Sequence, residues 1–374
     1  MKTWPLTSIS LEEATQKQFK LVDSITKYFN GSDILTRGDL GVVPGLNRPR
    51  TTQKVEHVLA DFFGAEDALL VRGAGTTALR YAIYSAIKPN HTLLVHDAPI
   101  YPTTQVTLNM FNIKVIKADF NNVKNLNSVL EENKVDGALV QLTRQQPSDS
   151  YDAKEVIQIL NKALPNLPVI TDDNYAVMKI PEIGVEMGSS LSTFSLFKLL
   201  GPEGIGCLVG STKYIDSLRE DSYSGGLQVQ GHEAIDVLRG LAYAPVALAI
   251  SAQTSQEVCD RLNAGEVDGV KEAFIANAQS KVILIEFNEN IAKHVLTKAE
   301  KLGAAPHPVG AESKYELTPM FYRVSNTFMQ YDSTLPDRMI RVNPMRSGPE
   351  TVLRILKEAL EQVKSNSRNE KYSE

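Results

Sequence analysis

Two cysteines in 374 residues, Cys207 and Cys259, leave no material for a disulfide framework or a Cys-x-x-Cys site. So few cysteines fit a reducing, cytoplasmic compartment. The six histidines, His57, His91, His96, His232, His294 and His307, are scattered and form no His-Glu-x-x-His set. With no carboxylate cluster of ligand spacing beside them, a metal centre is not expected. A Gly-x-Ser-x-Gly elbow is missing, which argues against Ser/His/Asp nucleophilic catalysis. Neither the Rossmann nor the Walker glycine spacing occurs. No apolar run reaches membrane-spanning length, and Met1-Lys2-Thr3-Trp4-Pro5-Leu6 has no apolar signal region. The net charge of −5 argues against attraction to nucleic acid over the whole chain.

What is present is ordinary in amount, with 43% hydrophobic and 22% charged residues, and informative in order. Ser10-Leu11-Glu12-Glu13 reads as a capping box opening a helix to about Phe29. Leu35 to Arg50 has no periodicity and reads as a long loop, with Arg37, Arg48 and Arg50 free to meet an anion or simply to be solvated. From Thr51 short apolar strands alternate with amphipathic helices, which predicts a mainly parallel sheet covered on both faces. A new βα pattern starts at Val282-Ile283-Leu284-Ile285 and closes in a helix opened by a second capping box, Ser347-Gly348-Pro349-Glu350. The domain frame is a helix and loop over 1–50, a large domain over 51–265, a small α/β domain over 266–364 and a frayed tail over 365–374.

Several short stretches carry chemistry. Gly73-Ala74-Gly75-Thr76-Thr77 lies between a strand and a helix, where free N–H groups and the positive end of the helix dipole suit a phosphate. Pro99-Ile100-Tyr101-Pro102 holds an aromatic ring stiffly after the next strand, able to stack on a planar ligand or to pack. Gln145-Gln146-Pro147 offers amides beyond a third strand. Asp172-Asp173-Asn174-Tyr175 puts two carboxylates after a buried strand, one of them expected in a site. Ser195-Leu196-Phe197-Lys198-Leu199-Leu200-Gly201-Pro202 places one lysine in an apolar run. That lysine is either an edge residue with a packed stem or an amine set up to attack a carbonyl.

Taken in order, these pieces resemble the large domain of fold-type-I pyridoxal-phosphate enzymes, the aspartate-aminotransferase superfamily. The resemblance runs from Thr51 to the final helix and is nearest to a bacterial aminotransferase-like branch. It implies that Ala74, Gly75, Thr76 and Ser195 hold the cofactor phosphate and that Tyr101 covers the ring. It implies that Gln146 and Tyr175 touch the ring oxygen, that Asp172 pairs the pyridine nitrogen, and that Lys198 forms the Schiff base. Arg341, in Arg341-Val342-Asn343, would clamp the substrate carboxylate. Lys198, Asp172 and Tyr175 are then the catalytic set. The implied activity is aminotransfer on an amino acid, with lyase, racemase or aldolase chemistry as the alternative and a non-catalytic relative as a remote one. A small-molecule amino acid or amine is the partner, with no nucleic acid or membrane. A homodimer with its site at the subunit interface is expected, the Arg37–Arg50 loop and Ser224-Gly225-Gly226-Leu227-Gln228 being the stretches to meet the partner.

One departure stands out. Many aminotransferases of this family place a phosphate-binding arginine eight residues after the lysine, and here that position is Gly206. Backbone N–H groups or the partner subunit are the expected replacements. The Lys-Leu-Leu-Gly-Pro run is instead similar to the selenocysteine-synthase branch, whose seryl-tRNA substrate the acidic charge argues against.

Overall fold

The computed structural model describes residues 2–144, 146–277, 281–325, 328–329 and 332–371. The chain divides into two units. The larger comprises Ile9–Thr143 and Ser150–Val246; the smaller comprises Met1–Ser8, Arg144–Asp149 and Ala247–Glu374. The sequence frame sets the change of domain at residue 265, whereas this division cuts a continuous helix after Val246. A helix offers no turn residues to mark such a cut.

The larger unit is built on seven strands: β1 (Asp67–Arg72), β2 (Thr92–His96), β3 (Lys114–Ala118), β4 (Gly137–Gln141), β5 (Val169–Asp172), β6 (Leu191–Ser195) and β7 (Ile205–Gly210). Their spatial order is β1-β7-β6-β5-β4-β2-β3. β7 runs antiparallel to both neighbours and every other pair is parallel. The mainly parallel seven-stranded sheet expected from the sequence is therefore present. Strands covered on both faces are mostly apolar rather than alternating, and Leu69, Leu93, Leu139, Ile170, Leu191 and Leu208 share one buried cluster. Because β1 and β6 both pair antiparallel with β7, they point the same way. The carboxyl ends of β1, β2, β4, β5 and β6 thus share one edge, the place where open α/β sheets hold ligands.

Helix α1 (Leu11–Tyr28) opens on the expected capping box, Ser10 and Glu13 exchanging backbone–side-chain bonds of 2.6 and 3.1 Å. It is tied to α2 (Arg50–Phe63) by Ser24 Oγ donating to Asp61 Oδ2 at 2.6 Å. The loop before α2 is not loose. Asp39 accepts from the Arg50 and Thr51 amides at 2.7 and 2.9 Å, and its own carbonyl accepts from Gly231 N–H at 3.0 Å. A Cβ at Gly38 would stand 2.5 Å from the Gly231 carbonyl carbon, so only glycine lets the two chains meet there. Gly41 N–H also donates to Gln230 Oε1 at 2.7 Å. The two stretches expected to face a partner therefore lie side by side in one chain.

Arg48 of that loop is not solvated. It is buried, with Nε 3.1 Å from Glu56 Oε2, and Arg219 Nη2 lies 3.9 Å from the same oxygen. Leu70 N–H donates to Glu56 Oε1 at 3.0 Å, and Arg219 forks onto Asp67 at 2.8 and 3.1 Å. Burial pushes the Glu56 carboxyl up to about 7 against the pull of both guanidinium groups. Such a cluster is costly to break, because removing one partner strands a buried charge at about 3–5 kcal/mol. It fixes the loop end, α2 and β1 to one another.

In the smaller unit, β8 (Val270–Ile275), β9 (Ile283–Phe287), β10 (Met320–Arg323) and β11 (Met339–Asn343) form an antiparallel sheet in the order β10-β11-β9-β8. β8 was not anticipated, because Val270-Lys271-Glu272-Ala273-Phe274-Ile275 carries two charges and buries only Ala273 and Ile275. The closing helix begins at Pro349 without the second capping box; Glu350 reaches Arg261 at 2.6 Å instead of turning back. The long helix Gly231–Asn263 is apolar and long enough to cross a membrane, but just over half of its most apolar stretch is buried within the protein, as in a core helix.

Candidate active site

Four segments at the shared sheet edge converge on one residue, Asn174. Its backbone N–H and its Nδ2 both donate to Asp172 Oδ1, at 3.1 and 2.8 Å. Its Oδ1 accepts from the Ser195 amide at 3.0 Å, and its carbonyl accepts from Thr143 Oγ1 at 3.1 Å. A Cβ at Gly75 would stand 2.6 Å from Asn174 Oδ1. One asparagine, through its side chain and its carbonyl, thus joins the ends of β1, β4, β5 and β6. Sequence reasoning missed it because Asn174 is the unnamed middle of an Asp-x-x-Tyr pattern.

The adjacent carboxylates part company as strand alternation requires. Asp173 is fully buried and accepts from Thr171 Oγ1 at 3.0 Å and from Gly184 N–H at 3.4 Å. It serves the fold. Burial pushes its carboxyl up to about 7. Asp172 faces the site. By surface area the residue is half-buried, yet protein surrounds its carboxyl, and burial raises it above the usual carboxylate range. Asn174's bonds and the Lys198 charge pull it back down.

A buried acid with a raised folded pKa stabilises the fold most below its unfolded value, and that contribution is lost as pH climbs through the folded value. For Asp173 the window runs from about 4 to about 7. The Asp173→Asn variant, which mimics the neutral acid, should therefore lose less stability than wild type across that window, the gap widening by about 1–4 kcal/mol. Urea midpoints at pH 4.5, 6 and 7.5 test this; parallel curves would place the titration elsewhere.

Lys198 sits on a tight turn (Phe197–Leu199) straight after β6. The Leu196 carbonyl closes that turn by accepting from the Leu199 and Gly201 amides at 2.9 and 3.0 Å. Leu200 takes φ 65°, and Gly240 allows a helix backbone against it, since a Cβ there would stand 2.3 Å from the Leu200 oxygen. The lysine Nζ lies 3.8 Å from the Tyr175 ring centroid. Tyr175 itself has φ 67°, a left-handed conformation that costs a tyrosine free energy and is commonest at functional sites.

Gly73 (φ 101°) caps the helix Ala74–Ala86, whose first N–H groups have no carbonyl inside the helix to bond. Gly73 and Ala74 amides both donate to the Gly204 carbonyl, at 2.7 and 2.8 Å, which leaves Gly75 and Thr76 at the open end. The missing arginine now has a physical reason. Gly206 pairs with Ser195 on one side and Val71 on the other, and a Cβ on it would stand 2.2 Å from the Ala74 oxygen. No side chain fits there while the turn keeps its shape. Gly206→Ala should cost about 1–3 kcal/mol through this overlap. It should also weaken anion binding at the turn, read by urea unfolding and by calorimetry with inorganic phosphate. An alanine variant equal to wild type in both would contradict the close approach.

Tyr101 stands at the start of the helix Pro102–Met110 with 51% of its surface exposed, so its ring is open to a planar ligand. Gln146 and Arg341 belong to the smaller unit. Asn277 Nδ2 clamps the Gln146-Pro147 step by donating to the Gln146, Pro147 and Asp149 carbonyls at 3.0, 2.9 and 2.8 Å. Arg341 lies on β11, its Nε donating to the Arg323 carbonyl at 2.7 Å and its guanidinium carbon 4.1 Å from the Tyr322 ring centroid. Gln145 lies outside the described residues.

This arrangement fits a phosphorylated pyridine aldehyde. The open helix end at Gly75 and Thr76 offers backbone N–H groups to a phosphate, and the close approaches at Gly75 and Gly206 leave no room for a side chain of their own. The enclosed Asp172 carboxyl suits a cationic ring nitrogen, and Lys198 supplies the amine.

Comparison with known proteins agrees. The class-V aminotransferase family model matches residues 14–245, and that of the YhfS-like C-terminal domain matches residues 256–356. The uncharacterized protein YhfS of Escherichia coli (strain K12) is 54% identical over 363 residues, covering 97% of this chain and 100% of that protein. The crystal structure of the pyridoxal-5'-phosphate dependent protein YhfS from Escherichia coli superposes with a TM-score of 0.95 over 97% of this chain and 100% of that one, at 54% identity. The cystathionine gamma lyase CalE6 from Micromonospora echinospora shares the fold at 14% identity, with a TM-score of 0.73 over 92% of this chain and 98% of its own.

Proposed function

Since the chain belongs to the class-V aminotransferase family, we propose that it is a pyridoxal-phosphate enzyme that acts on an amino acid through Lys198, with aminotransfer as its reaction. The observation that supports this is that Asn174 ties Asp172 to Ser195 at the carboxyl edge of the sheet, with Lys198 on the next turn lying over the Tyr175 ring. Its cofactor is pyridoxal 5'-phosphate. Bound here, it supplies an electron sink for the charge left at the substrate's Cα.

The protein's own residues do the rest. Gly75 and Thr76 present N–H groups to the phosphate. Asp172 holds a proton on the ring nitrogen, a role its Asn174 bonds and enclosed setting favour once a cation faces it. Tyr175 would donate to the ring oxygen, the role that the resemblance also gives Gln146. Lys198 would hold the cofactor aldehyde and, as a free amine, would move the proton at the substrate's Cα. Arg341 grips the substrate carboxylate with a planar fork. Lyase chemistry is the second reading, favoured by a fold shared with a cystathionine gamma lyase and by the same residues serving either outcome. A homodimer, whose Arg37–Arg50 and Ser224–Gln228 stretches complete the partner's site, and a cytoplasmic location complete the proposal.

The test is spectral. Purified protein given the cofactor should gain visible absorbance that borohydride bleaches, and protein that stays colourless refutes the cofactor. An amino-acid and amine panel then separates the reactions. Conversion to the pyridoxamine form with keto-acid release supports aminotransfer, whereas substrate loss without that conversion supports a lyase.

A further inference from the structure

Asn174 treats the two carboxylate oxygens of Asp172 unequally. Its backbone N–H and its Nδ2 both donate to Oδ1, at 3.1 and 2.8 Å, and among the described residues no group donates to Oδ2. The residue is half-buried, and Oδ2 keeps accessible surface. The asparagine amide is oriented from its other end. Its Oδ1 accepts from the Ser195 N–H at 3.0 Å. Turned over, the amide would set its NH2 against that N–H and its oxygen against the Asp172 carboxylate, losing both bonds to like-against-like contacts. Gly75 makes the space: a Cβ there would stand 2.6 Å from Asn174 Oδ1 and 2.7 Å from Nδ2. The end of β6 and the start of the helix Ala74–Ala86 thus hold the Asn174 donor on one chosen oxygen at the end of β5.

We propose that Asn174 is a positioning residue that acts through Asp172, filling Oδ1 with two donors so that Oδ2 is the oxygen left to meet the cofactor's ring nitrogen. The proposal rests on the reading of Asp172 as the partner of that nitrogen. An ionised carboxylate accepts through both oxygens, so an untethered one can turn either toward a cation. Held at Oδ1, it presents one oxygen in one direction and has no reorganisation to undergo when the ring arrives. The same bonds act on its charge, because hydrogen bonds to the ionised form favour that form. Burial raises the Asp172 carboxyl, and what pulls it back is first the Asn174 side chain, then the Asn174 N–H, then the Lys198 charge. Asp173, next in the chain, is the acid whose charge Asp172 opposes. With Ser195 read as a phosphate contact, one asparagine also ties the group for the nitrogen end of the cofactor to a group for its phosphate end.

The first measurement follows the Asp172 13Cγ resonance in full-length protein freed of cofactor, assigned by its absence from Asp172→Asn. Asn174→Ala removes the Nδ2 donor and keeps the backbone N–H. It should raise the Asp172 titration midpoint by about one unit, the roughly tenfold preference that a hydrogen bond gives a charged acceptor. Asn174→Asp keeps an acceptor for the Ser195 N–H but sets a second carboxylate where the donor stood, and should raise the midpoint further. If Asn174 serves only the fold, a folded Asn174→Ala protein unfolds earlier in urea with the Asp172 midpoint where wild type has it, which overturns the proposal. The second measurement decides even if neither variant folds. A crystal structure of wild-type protein loaded with pyridoxal phosphate should place the ring nitrogen about 2.7–3.2 Å from Asp172 Oδ2, with both Asn174 donors still on Oδ1. A ring nitrogen bonded to Oδ1 overturns the proposal. Because the titration needs no cofactor, its failure is separate from failure of the cofactor spectrum above.

Discussion

Lys198→Ala protein is expected to fold, to bind pyridoxal phosphate reversibly, and to turn over amino acids at least about 10²–10⁴-fold more slowly than wild type, the range for losing a positioned acid–base group. The fold should survive because the turn around Lys198 is held by backbone bonds to the Leu196 carbonyl and by the Gly240 contact, not by the lysine. What goes is the amine 3.8 Å from the Tyr175 ring centroid, worth about 0.5–2 kcal/mol as a cation–π contact. The phosphate cradle of Gly73 to Thr76 is untouched, so the cofactor should bind and wash out on dialysis rather than disappear. Stopped-flow turnover and equilibrium dialysis read the two effects separately. Turnover within tenfold of wild type would move the chemistry to another residue.

Asp172→Asn should be the second most damaging change, with kcat/KM down about 10²–10³-fold, as when one preorganised electrostatic partner is removed. Asparagine keeps an oxygen where Asn174 donates its two hydrogen bonds, so the local scaffold should hold. It cannot carry the charge that keeps a proton on the ring nitrogen. The loss should therefore fall on kcat, with cofactor affinity changed less. The sign of the Asp172 shift matters here. In the unloaded protein burial favours the neutral acid, and a cation facing it reverses that preference. Wild-type rates retained in Asp172→Asn would show that ring protonation is set elsewhere.

The parts of this site legible in the sequence are those fixed by residue type at short range. Gly75-Thr76, Asp172 with Tyr175, and Ser195 with Lys198 each lie at the end of a buried strand, and most of these strands were readable as short apolar runs, β6 (Leu-Ser-Thr-Phe-Ser) being the most polar of them. Their meeting at one edge follows from β7 running antiparallel between β1 and β6. Long-range contacts were not legible. Asn174 gains its meaning from four segments that only the sheet order brings together. Gly206 looked like an arginine lost, and became a glycine required once the Ala74 oxygen was seen against it. Arg48 could be read either as an anion contact or as solvated, because its partner Glu56 lies in the next helix and the pair is recognisable only by burial. The cut after Val246 was hidden inside an unbroken helix, and β8 by its charged outer residues.

Borohydride reduction of the cofactor-loaded protein, followed by proteolysis and mass mapping of the modified peptide, tests the central claim most directly. Lys198 should carry the reduced cofactor, with Lys179 unmodified although both nitrogens lie within 6 Å of the Tyr175 ring centroid. Attachment at Lys179, at any other lysine, or at none would contradict the account.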